Sequence, residues 1–208
     1  MGVKLHERQL FSMNQKNLEK RFLEYYEETK DANYIIECAL VVQIRNGLTT
    51  EDFSFFAKDF VRELFFTGED LQATRHLCFF FRAYFSNEEW AMVIGRLFEK
   101  PEEYLDLTQH YVPGVEKVQP LLSSGGREEK EDISLRAVFE DANGKQHTWR
   151  LRNAERKRTS GEGYELMYIL SFLTILQKDG IRRFVKPLRS TFLTTYQVEH
   201  NKTYQPQG

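Results

Sequence analysis

A dense run of positive charge is the part of this sequence whose residue types most directly suggest chemistry. The segment RLRNAERKR places five cations within nine residues, namely Arg150, Arg152, Arg156, Lys157 and Arg158. Clustered guanidinium and ammonium groups can bind the phosphates of a nucleic acid or of another polyanion. A charged segment between two elements can also be a solvated loop, so both interpretations stay open here. Arg182 and Arg183 follow along the chain and are candidate contacts for the same anion.

Bulky aromatic side chains are concentrated between residues 53 and 98, in segments such as FSFF, FVRELFF and CFFFRAYF. Neighbouring aromatics on a helix cannot all face one way, so these helices are either buried on several sides or expose some rings in a groove. Burial in a core is the simpler interpretation. An exposed groove would bind a protein partner or a second copy of the chain. The candidate residues for that surface are Phe55, Phe66, Phe80, Phe81 and Trp90.

Signatures of catalysis and metal binding do not occur in the sequence. The five histidines are scattered, without C-x-x-C, H-E-x-x-H or H-x-H spacing, and there is no G-x-S-x-G. The glycine-rich SGEG at residues 160–163 is a weak candidate for an anion-binding turn. Cys38 and Cys78 lie in apolar segments that predict buried, unreactive thiols. We therefore predict no catalytic residues, no cofactor and no metal.

Signals for membranes and secretion are also missing from the sequence. No apolar run reaches the roughly 18 residues that a membrane span needs. The N-terminal residues contain no apolar segment followed by a small-residue cleavage site. Two cysteines without a secretion signal are typical of reduced thiols in the cytoplasm. The expectation is a cytoplasmic protein that does not bind membranes.

Charge is distributed unevenly and suggests two modules. Residues 1–122 contain 14 Lys and Arg against 20 Asp and Glu, whereas residues 133–208 contain 13 against 7. Between them, SSGGREEKED at residues 123–132 has the glycine, serine and charge content of a linker. We predict an acidic helical domain over 1–122, a linker over 123–132 and a basic domain over 133–208.

The N-terminal part has helical periodicity, and about six helices in a bundle are predicted. The first contains NLEKRFLEYYEE. Capping residues, glycine and proline set the other boundaries: the second helix ends at Gly47, the third begins at Thr49 or Thr50, the fourth begins at Thr67 and runs through CFFFRAYF, the fifth has a Ser86–Glu89 capping box, and the sixth opens at Pro101.

The C-terminal part changes to a period of two, which predicts a β-hairpin in ISLRAVFEDANGKQHTWRLRN. A three-residue loop with Gly144 in the left-handed region keeps apolar residues on one face, whereas a two-residue loop mixes them with charges. The expected pairs are Asp141–Lys145, Phe139–His147, Ala137–Trp149 and Leu135–Leu151. This register places Arg136, Arg150 and Arg152 together on the opposite face, with Arg136 directly across from Arg150.

The remaining elements complete the predicted fold. EGYELMYILSFLTILQKDG favours a helix that ends at Gly180, with a pair of strands as the alternative, and STFLTTYQVEH at residues 190–200 alternates as a strand does. The fold class is α+β, with an N-terminal helical bundle followed by a small β-β-α-β antiparallel sheet.

The sequence favours a non-catalytic binding or adaptor protein that acts through a protein partner or through self-association. The first alternative is a nucleic-acid-binding protein that uses the basic face and loop. The second alternative is an enzyme with a site between the two domains.

Overall fold

The structure is a computed structural model that describes residues 3–67, 70–109, 112–126 and 132–195. Helices come first and a small antiparallel sheet follows, which confirms the predicted α+β class. The helices of the N-terminal part are α1 (Glu7–Ser12), α2 (Gln15–Thr29), α3 (Ala32–Leu48), α4 (Lys58–Phe66), a 3-10 helix (Arg75–Tyr84), α5 (Asn87–Leu97), α6 (Pro101–Thr108), α7 (Val112–Val115) and α8 (Gln119–Leu122). The C-terminal part consists of β1 (Asp132–Glu140), β2 (Gln146–Arg152), α9 (Ser160–Ile169), a short 3-10 turn (Leu170–Phe172), β3 (Gln177–Lys178), β4 (Ile181–Arg182) and β5 (Lys186–Thr195).

Helix α3 is the centre of the molecule. Every one of its residues except Asn33 is buried. A helix that is apolar on all sides, as IIECALVV makes this one, has to be enclosed by other elements. Asp31 caps its start by accepting the Tyr34 N–H at 3.0 Å. Near its end, a Cβ at Gly47 would lie 2.9 Å from the Leu166 side chain, so this glycine lets α9 pack closely.

Several predicted helix signals are confirmed. The Ser86–Glu89 capping box opens α5, and Pro101 occupies the first turn of α6. Helix α2 contains the predicted NLEKRFLEYYEE segment and buries Leu18 and Phe22. In these helices the local capping residues and the apolar stripe favour the same boundaries, so no tertiary contact displaces them.

The predicted third helix is wrong at its start, because α4 begins at Lys58 and not near Thr50. Residues 49–57 are used for tertiary contacts instead. The Thr50 N–H donates to the Asn153 carbonyl at 2.8 Å, and the Phe53 N–H donates to Oδ1 of Asn46 at 2.7 Å. A helix from residue 49 or 50 is excluded further on, because Phe55 and Ala57 have left-handed φ values of +52° and +48°.

The predicted fourth helix is wrong in type. Residues 75–84 form a 3-10 helix, while Gly68 and Glu69 at the predicted start lie outside the described residues. Leu77, Cys78 and the three phenylalanines that follow are all buried. Burial of five consecutive side chains requires packing on every side of the segment, so its surroundings determine its conformation.

The main sheet has three antiparallel strands in the order β2-β1-β5. The predicted hairpin register is confirmed, with Leu135 opposite Leu151 and Ala137 opposite Trp149. The Asp141 N–H donates to the Lys145 carbonyl at 2.9 Å, and Gly144 has a φ of +77°. The three-residue loop is therefore the one that the hydrophobic pattern required.

The predicted helix to Gly180 is wrong in its second half, because helical structure ends at Phe172. The carboxylate of Glu37, in the middle of α3, accepts the N–H groups of Thr174 and Ile175 and the Thr174 hydroxyl. These amides cannot donate to helical carbonyls at the same time. The chain continues as the small hairpin β3-β4, with Gly180 at φ +78° in its turn, so the predicted β-β-α-β order gains two short strands.

The hydrophobic core is continuous across the two halves of the chain. It contains α3 residues such as Leu40 together with Leu135 of β1 and Leu166 of α9. Phe11 of α1 meets Trp149 of β2 edge to face, with ring centroids 4.9 Å apart. The division into domains 1–122 and 133–208 stays a prediction, and residues 127–131 of the predicted linker lie outside the described residues. The sheet is held against the helical part by this shared core.

Candidate functional site

The strongest candidate site is the exposed side of the three-stranded sheet, which we call the arginine face. It carries Arg136 on β1, Arg150 and Arg152 on β2, and Arg189 on β5, and all four are exposed. The alternation along β1 explains the placement, because the residues on either side of Arg136 point into the core. Leu135 is 1% exposed and Ala137 is 0% exposed.

The ladder geometry brings two of these arginines close together. Hydrogen-bonded and non-hydrogen-bonded pairs alternate along an antiparallel ladder. Since Asp141 and Lys145 form a hydrogen-bonded pair, Arg136 and Arg150 form a non-hydrogen-bonded pair. Cα atoms in such pairs are only about 4.5 Å apart and the side chains are close. Two like charges in this arrangement repel each other, and an anion between them would remove the repulsion.

No acidic side chain within the described residues forms an ion pair with the arginine face, although Asp132 and Glu140 lie on the same side of β1. Arg136, Arg150, Arg152 and Arg189 have no ion pair or side-chain hydrogen bond with any described residue. Apart from the Arg136–Arg150 pair, their neighbours across the strands are uncharged, since Thr191 is opposite Arg136 and Val138 is opposite Arg189. Four exposed guanidinium groups therefore keep their hydrogen-bond donors available to a ligand.

Arg189 was not among the predicted contacts. It joins the face because β5 pairs with β1, which places the Arg189 backbone opposite Val138. Residues 186–189, KPLR, precede the predicted strand start at residue 190 and run polar, apolar, apolar, polar, so they lack the alternation of a strand. A register shift between Val138 and Phe139 disturbs that alternation, which explains why periodicity alone gave a later start.

The other cations of the RLRNAERKR run do not lie on the sheet. Arg156 and Lys157 are exposed in the loop before α9, where the Lys157 backbone N–H donates to Glu155 at 2.9 Å. Arg158 is buried, with 8% of its surface exposed. Its Nε donates to the Gly47 carbonyl at the end of α3, at 2.8 Å. Arg158 therefore stabilises the end of the central helix, and we remove it from the candidate contacts.

Arg182 and Arg183 also serve the fold and lie away from the arginine face. A terminal nitrogen of Arg182 donates to the Ser171 carbonyl at 2.5 Å. Arg183 pairs with Glu7 of α1 at 3.1 Å. Both contacts attach the β3-β4 hairpin to the rest of the molecule, so these two arginines are not included in the site.

The predicted partner-binding aromatics are separated by the structure. Phe80 and Phe81 are buried, with 1% and 0% exposure, and belong to the core. Phe66 and Trp90 are half-buried and both contact the Phe85 ring, at centroid distances of 5.6 and 6.0 Å. The groove interpretation is therefore left with one well-exposed ring from this set, Phe55.

Phe55 has an unusual backbone for a bulky residue. Its φ is +52°, Ala57 two residues later has a φ of +48°, and 41% of Phe55 is exposed. The left-handed region costs a non-glycine residue about 1–2 kcal/mol. The Lys58 ammonium lies 4.9 Å from the centre of the Phe55 ring. The ring also packs against Tyr84, with centroids 5.7 Å apart, so a partly exposed apolar ring lies on a strained turn.

The two thiols, the Glu89 carboxylate and the SGEG turn either have structural roles or are too deeply buried to react. Burial raises the pKa of the Cys38 and Cys78 thiols well above the usual value, so both remain protonated. Hydrogen bonds from Arg62 lower the pKa of Glu89 to about 2. At the SGEG turn, the Thr159 N–H and hydroxyl both donate to Glu162, so α9 is capped by its own side chains.

Within 3–67, 70–109, 112–126 and 132–195, no group of three or more His, Cys, Asp and Glu side chains could hold a metal ion. No helix in the same ranges has both the length and the apolar character to cross a membrane.

Comparison with known proteins gives no relative for this chain. No protein-family model, no curated protein and no solved structure matches it.

Proposed function

We propose that this protein is a non-catalytic binding protein that binds the phosphate backbone of nucleic acid on its arginine face. The observation that carries the proposal is the Arg136–Arg150 pair, two adjacent exposed guanidinium groups without an acidic partner among the described residues. Arg152 and Arg189 extend the positive surface along and across the strands. Phosphate oxygens accept hydrogen bonds from guanidinium groups in a bidentate geometry, and the released counterions favour binding.

The composition of the arginine face favours contacts with the backbone over contacts with bases. Its uncharged described side chains include Ser134, Val138, Thr148 and Thr191. No aromatic ring among the described residues lies on this face, since Trp149 points into the core with 6% exposure. Proteins that read single strands stack bases on such rings. We therefore expect sequence-independent binding and a preference for duplexes over single strands.

The test is a titration of the full-length protein against labelled duplex DNA and duplex RNA at several salt concentrations. Four arginines that each neutralise one phosphate give a slope of log K against log salt of about −3.6 on B-form DNA. Arg136→Gln should weaken binding by a similar factor for every sequence and reduce the slope by about 0.9. Fluorescence anisotropy measures both quantities.

The matched control is Lys16→Gln, which removes one positive charge from the exposed side of α2. It should leave the affinity and the salt slope close to the wild-type values. Absence of duplex binding at about 50 mM salt, or equal effects of the two substitutions, would contradict the proposal.

A second candidate function, binding of a protein partner, is supported by Phe55. Its exposed ring on a left-handed backbone is a feature that the fold stabilises at a free-energy cost, and such strain is concentrated at functional positions. A second copy of the chain is the partner we propose for it, because exposed apolar rings serve as anchors in interfaces.

The test of this candidate is Phe55→Asn, because asparagine tolerates the left-handed region and removes the ring. We expect the variant to fold and to lose concentration-dependent self-association in sedimentation equilibrium. A wild-type protein that stays monomeric at every concentration would rule out the homodimer form of this candidate.

A further inference from the structure

A cleft of about 520 Å³ separates α1 from the free edge of the sheet. One wall is formed by Glu7, Arg8, Phe11 and Ser12 of α1, and the other by the stretch 149–153 of β2 and its continuation. Glu51 also lines the cleft. Its size lies within the range of about 300–1,000 Å³ that is typical of ligand sites. At about 3.3 Å per residue, the β2 stretch is roughly 13 Å long.

The β2 wall presents unpaired backbone groups to this cleft. In the order β2-β1-β5, strand β2 pairs with β1 on one side only. Because Arg136 and Arg150 form a non-hydrogen-bonded pair, the N–H and C=O groups of Arg150 and Arg152 point away from β1. Within the described residues, the backbone N–H and C=O groups of Arg150 and Arg152 make no hydrogen bond outside the sheet. The edge thus offers donors and acceptors in alternation.

The chain already pairs with the same edge one step further along. The Thr50 N–H donates to the Asn153 carbonyl at 2.8 Å, and the Glu155 N–H donates to the Leu48 carbonyl at 2.9 Å. Thr49 and Ala154 form an antiparallel bridge. This side of the strand is therefore accessible to an extended chain. The pairing of residues 48–50 with residues 153–155 ends where the cleft begins.

The net charge of the cleft is set by arginines. Its two acidic side chains are already neutralised, Glu7 by Arg183 at 3.1 Å and Glu51 by the buried Arg45 at 2.6 Å. Arg8, Arg150 and Arg152 have no ion pair with any described residue. A ligand in the cleft therefore meets three uncompensated positive charges above an apolar floor of Phe11 and Trp149.

We propose that the cleft binds an extended acidic peptide, which adds to β2 as a further strand with acidic and apolar side chains in alternation. Residues opposite Arg150 and Arg152 would be acidic and on the same face as these arginines. The alternate apolar residues would face Phe11 and Trp149. Main-chain hydrogen bonds to the edge would supply affinity, and the alternating side chains would supply specificity.

Two other occupants fit this edge less well. A second copy of β2 would bring Arg150 and Arg152 next to the same arginines of its partner, and like charges opposed across strands are destabilising. A nucleic-acid backbone accepts hydrogen bonds from guanidinium groups, but its phosphates cannot donate to the free carbonyls of the edge. An acidic polypeptide satisfies both the donors and the acceptors.

The experiment is a calorimetric titration of the full-length protein with a capped peptide of alternating glutamate and valine. We expect saturable binding. We also expect slower hydrogen exchange of the Arg150 and Arg152 amides, because their N–H groups would donate to carbonyls of the peptide. Arg8→Gln should weaken binding by about tenfold, whereas Lys16→Gln should not change it. The same peptide with glutamine in place of glutamate should bind at least about tenfold more weakly.

N-methylation of the peptide tests strand addition directly. The glutamates, which lie opposite the arginines, turn their N–H groups toward β2, so methylation of their amides should abolish binding. Methylation of the valine amides should be tolerated. Equal effects of the two methylated peptides, no saturable binding of the parent peptide, or a dimer in light scattering that Arg152→Glu strengthens would each overturn the inference.

This inference shares Arg150 and Arg152 with the proposed nucleic-acid binding, but the two proposals can fail separately. Arg136 lies on the central strand and does not line the cleft. Arg136→Gln should therefore weaken duplex binding and leave peptide binding intact. Arg8→Gln should have the reverse effect.

Discussion

Arg45 shows how much of this fold depends on single buried polar side chains. It is 1% exposed, yet its guanidinium group bonds Glu51 at 2.6 and 2.8 Å and the Met13 carbonyl at 2.7 Å. The group also lies 4.2 Å from the Phe53 ring centre. Burial lowers the pKa of Arg45, and Glu51 opposes that shift. One side chain thereby joins α1, α3 and the 49–57 segment.

We predict that Arg45→Met lowers the free energy of unfolding by about 3 kcal/mol, because it leaves the Met13 carbonyl and Glu51 without their partner. Urea denaturation followed by circular dichroism measures the loss. Arg62→Met is the matched control, since Arg62 pairs with Glu89 at a partly exposed site and should cost about 1 kcal/mol or less. An Arg45 variant that loses no more stability than the Arg62 variant would contradict this account.

Among the elements, the β1-β2 hairpin is the one whose register places the arginines of the proposed site on one face. Its turn is fixed by Asp141, whose Oδ1 accepts the N–H groups of Asn143 and Lys145, each at 2.9 Å. Oδ2 of the same carboxylate lies 2.5 Å from Nε2 of His147. The hydrogen bond with His147 is the main reason that the pKa of Asp141 is lowered. A slip of one residue here would turn Arg136 and Arg150 into the core.

The pKa of Asp141 leads to a prediction about acid stability. Its folded pKa lies below its unfolded value of about 3.9, so the charged carboxylate stabilises the fold fully above that pH. This contribution is lost as the pH falls through the folded pKa. Urea unfolding from neutral pH down to acid should show that wild-type protein is more stable than Asp141→Asn near neutrality, with a gap that narrows below about pH 4. A gap that widens on acidification would contradict the assignment.

Hydrophobic periodicity was sufficient to predict the hairpin but not the ends of the long helices. In the hairpin, one register alone separates Leu135 and Leu151 from the arginines, so the local sequence carries the whole answer. The helix after SGEG ends early because Glu37, more than a hundred residues away in the chain, binds the amides of Thr174 and Ile175. No local pattern contains that contact.

For the whole molecule, the important property is that the sheet and the helices share one core. Glu37 of α3 holds the segment after α9, Arg158 holds the end of α3, and Phe11 packs on Trp149. The arginine face remains outside this interface, so docking of the two halves leaves it open. The N-terminal half is acidic, but within the described residues it does not pair with Arg136, Arg150, Arg152 or Arg189.

We predict that the two halves unfold in a single transition. The two tryptophans lie on opposite sides of the predicted boundary, with Trp90 in α5 and Trp149 in β2. In Trp90→Phe, the fluorescence of Trp149 reports on the sheet while far-ultraviolet circular dichroism reports mainly on the helices. The two probes should give the same urea midpoint. Separate midpoints would show that the sheet and the helical part are independent folding units.

The amino-acid order alone was enough to establish the α+β class, the capped helices, the hairpin register and the clustering of arginines on one side of a sheet. Each of these follows from interactions between residues close in the chain or from a strict alternation of apolar and polar side chains. The sequence did not reveal which cations would stay exposed, as the burial of Arg158 and the pairing of Arg183 with Glu7 show. Those outcomes depend on groups distant in sequence, which become neighbours when the central helix is enclosed. The cleft beside β2 arises in the same way, because it exists only where α1 packs beside the free edge of the sheet.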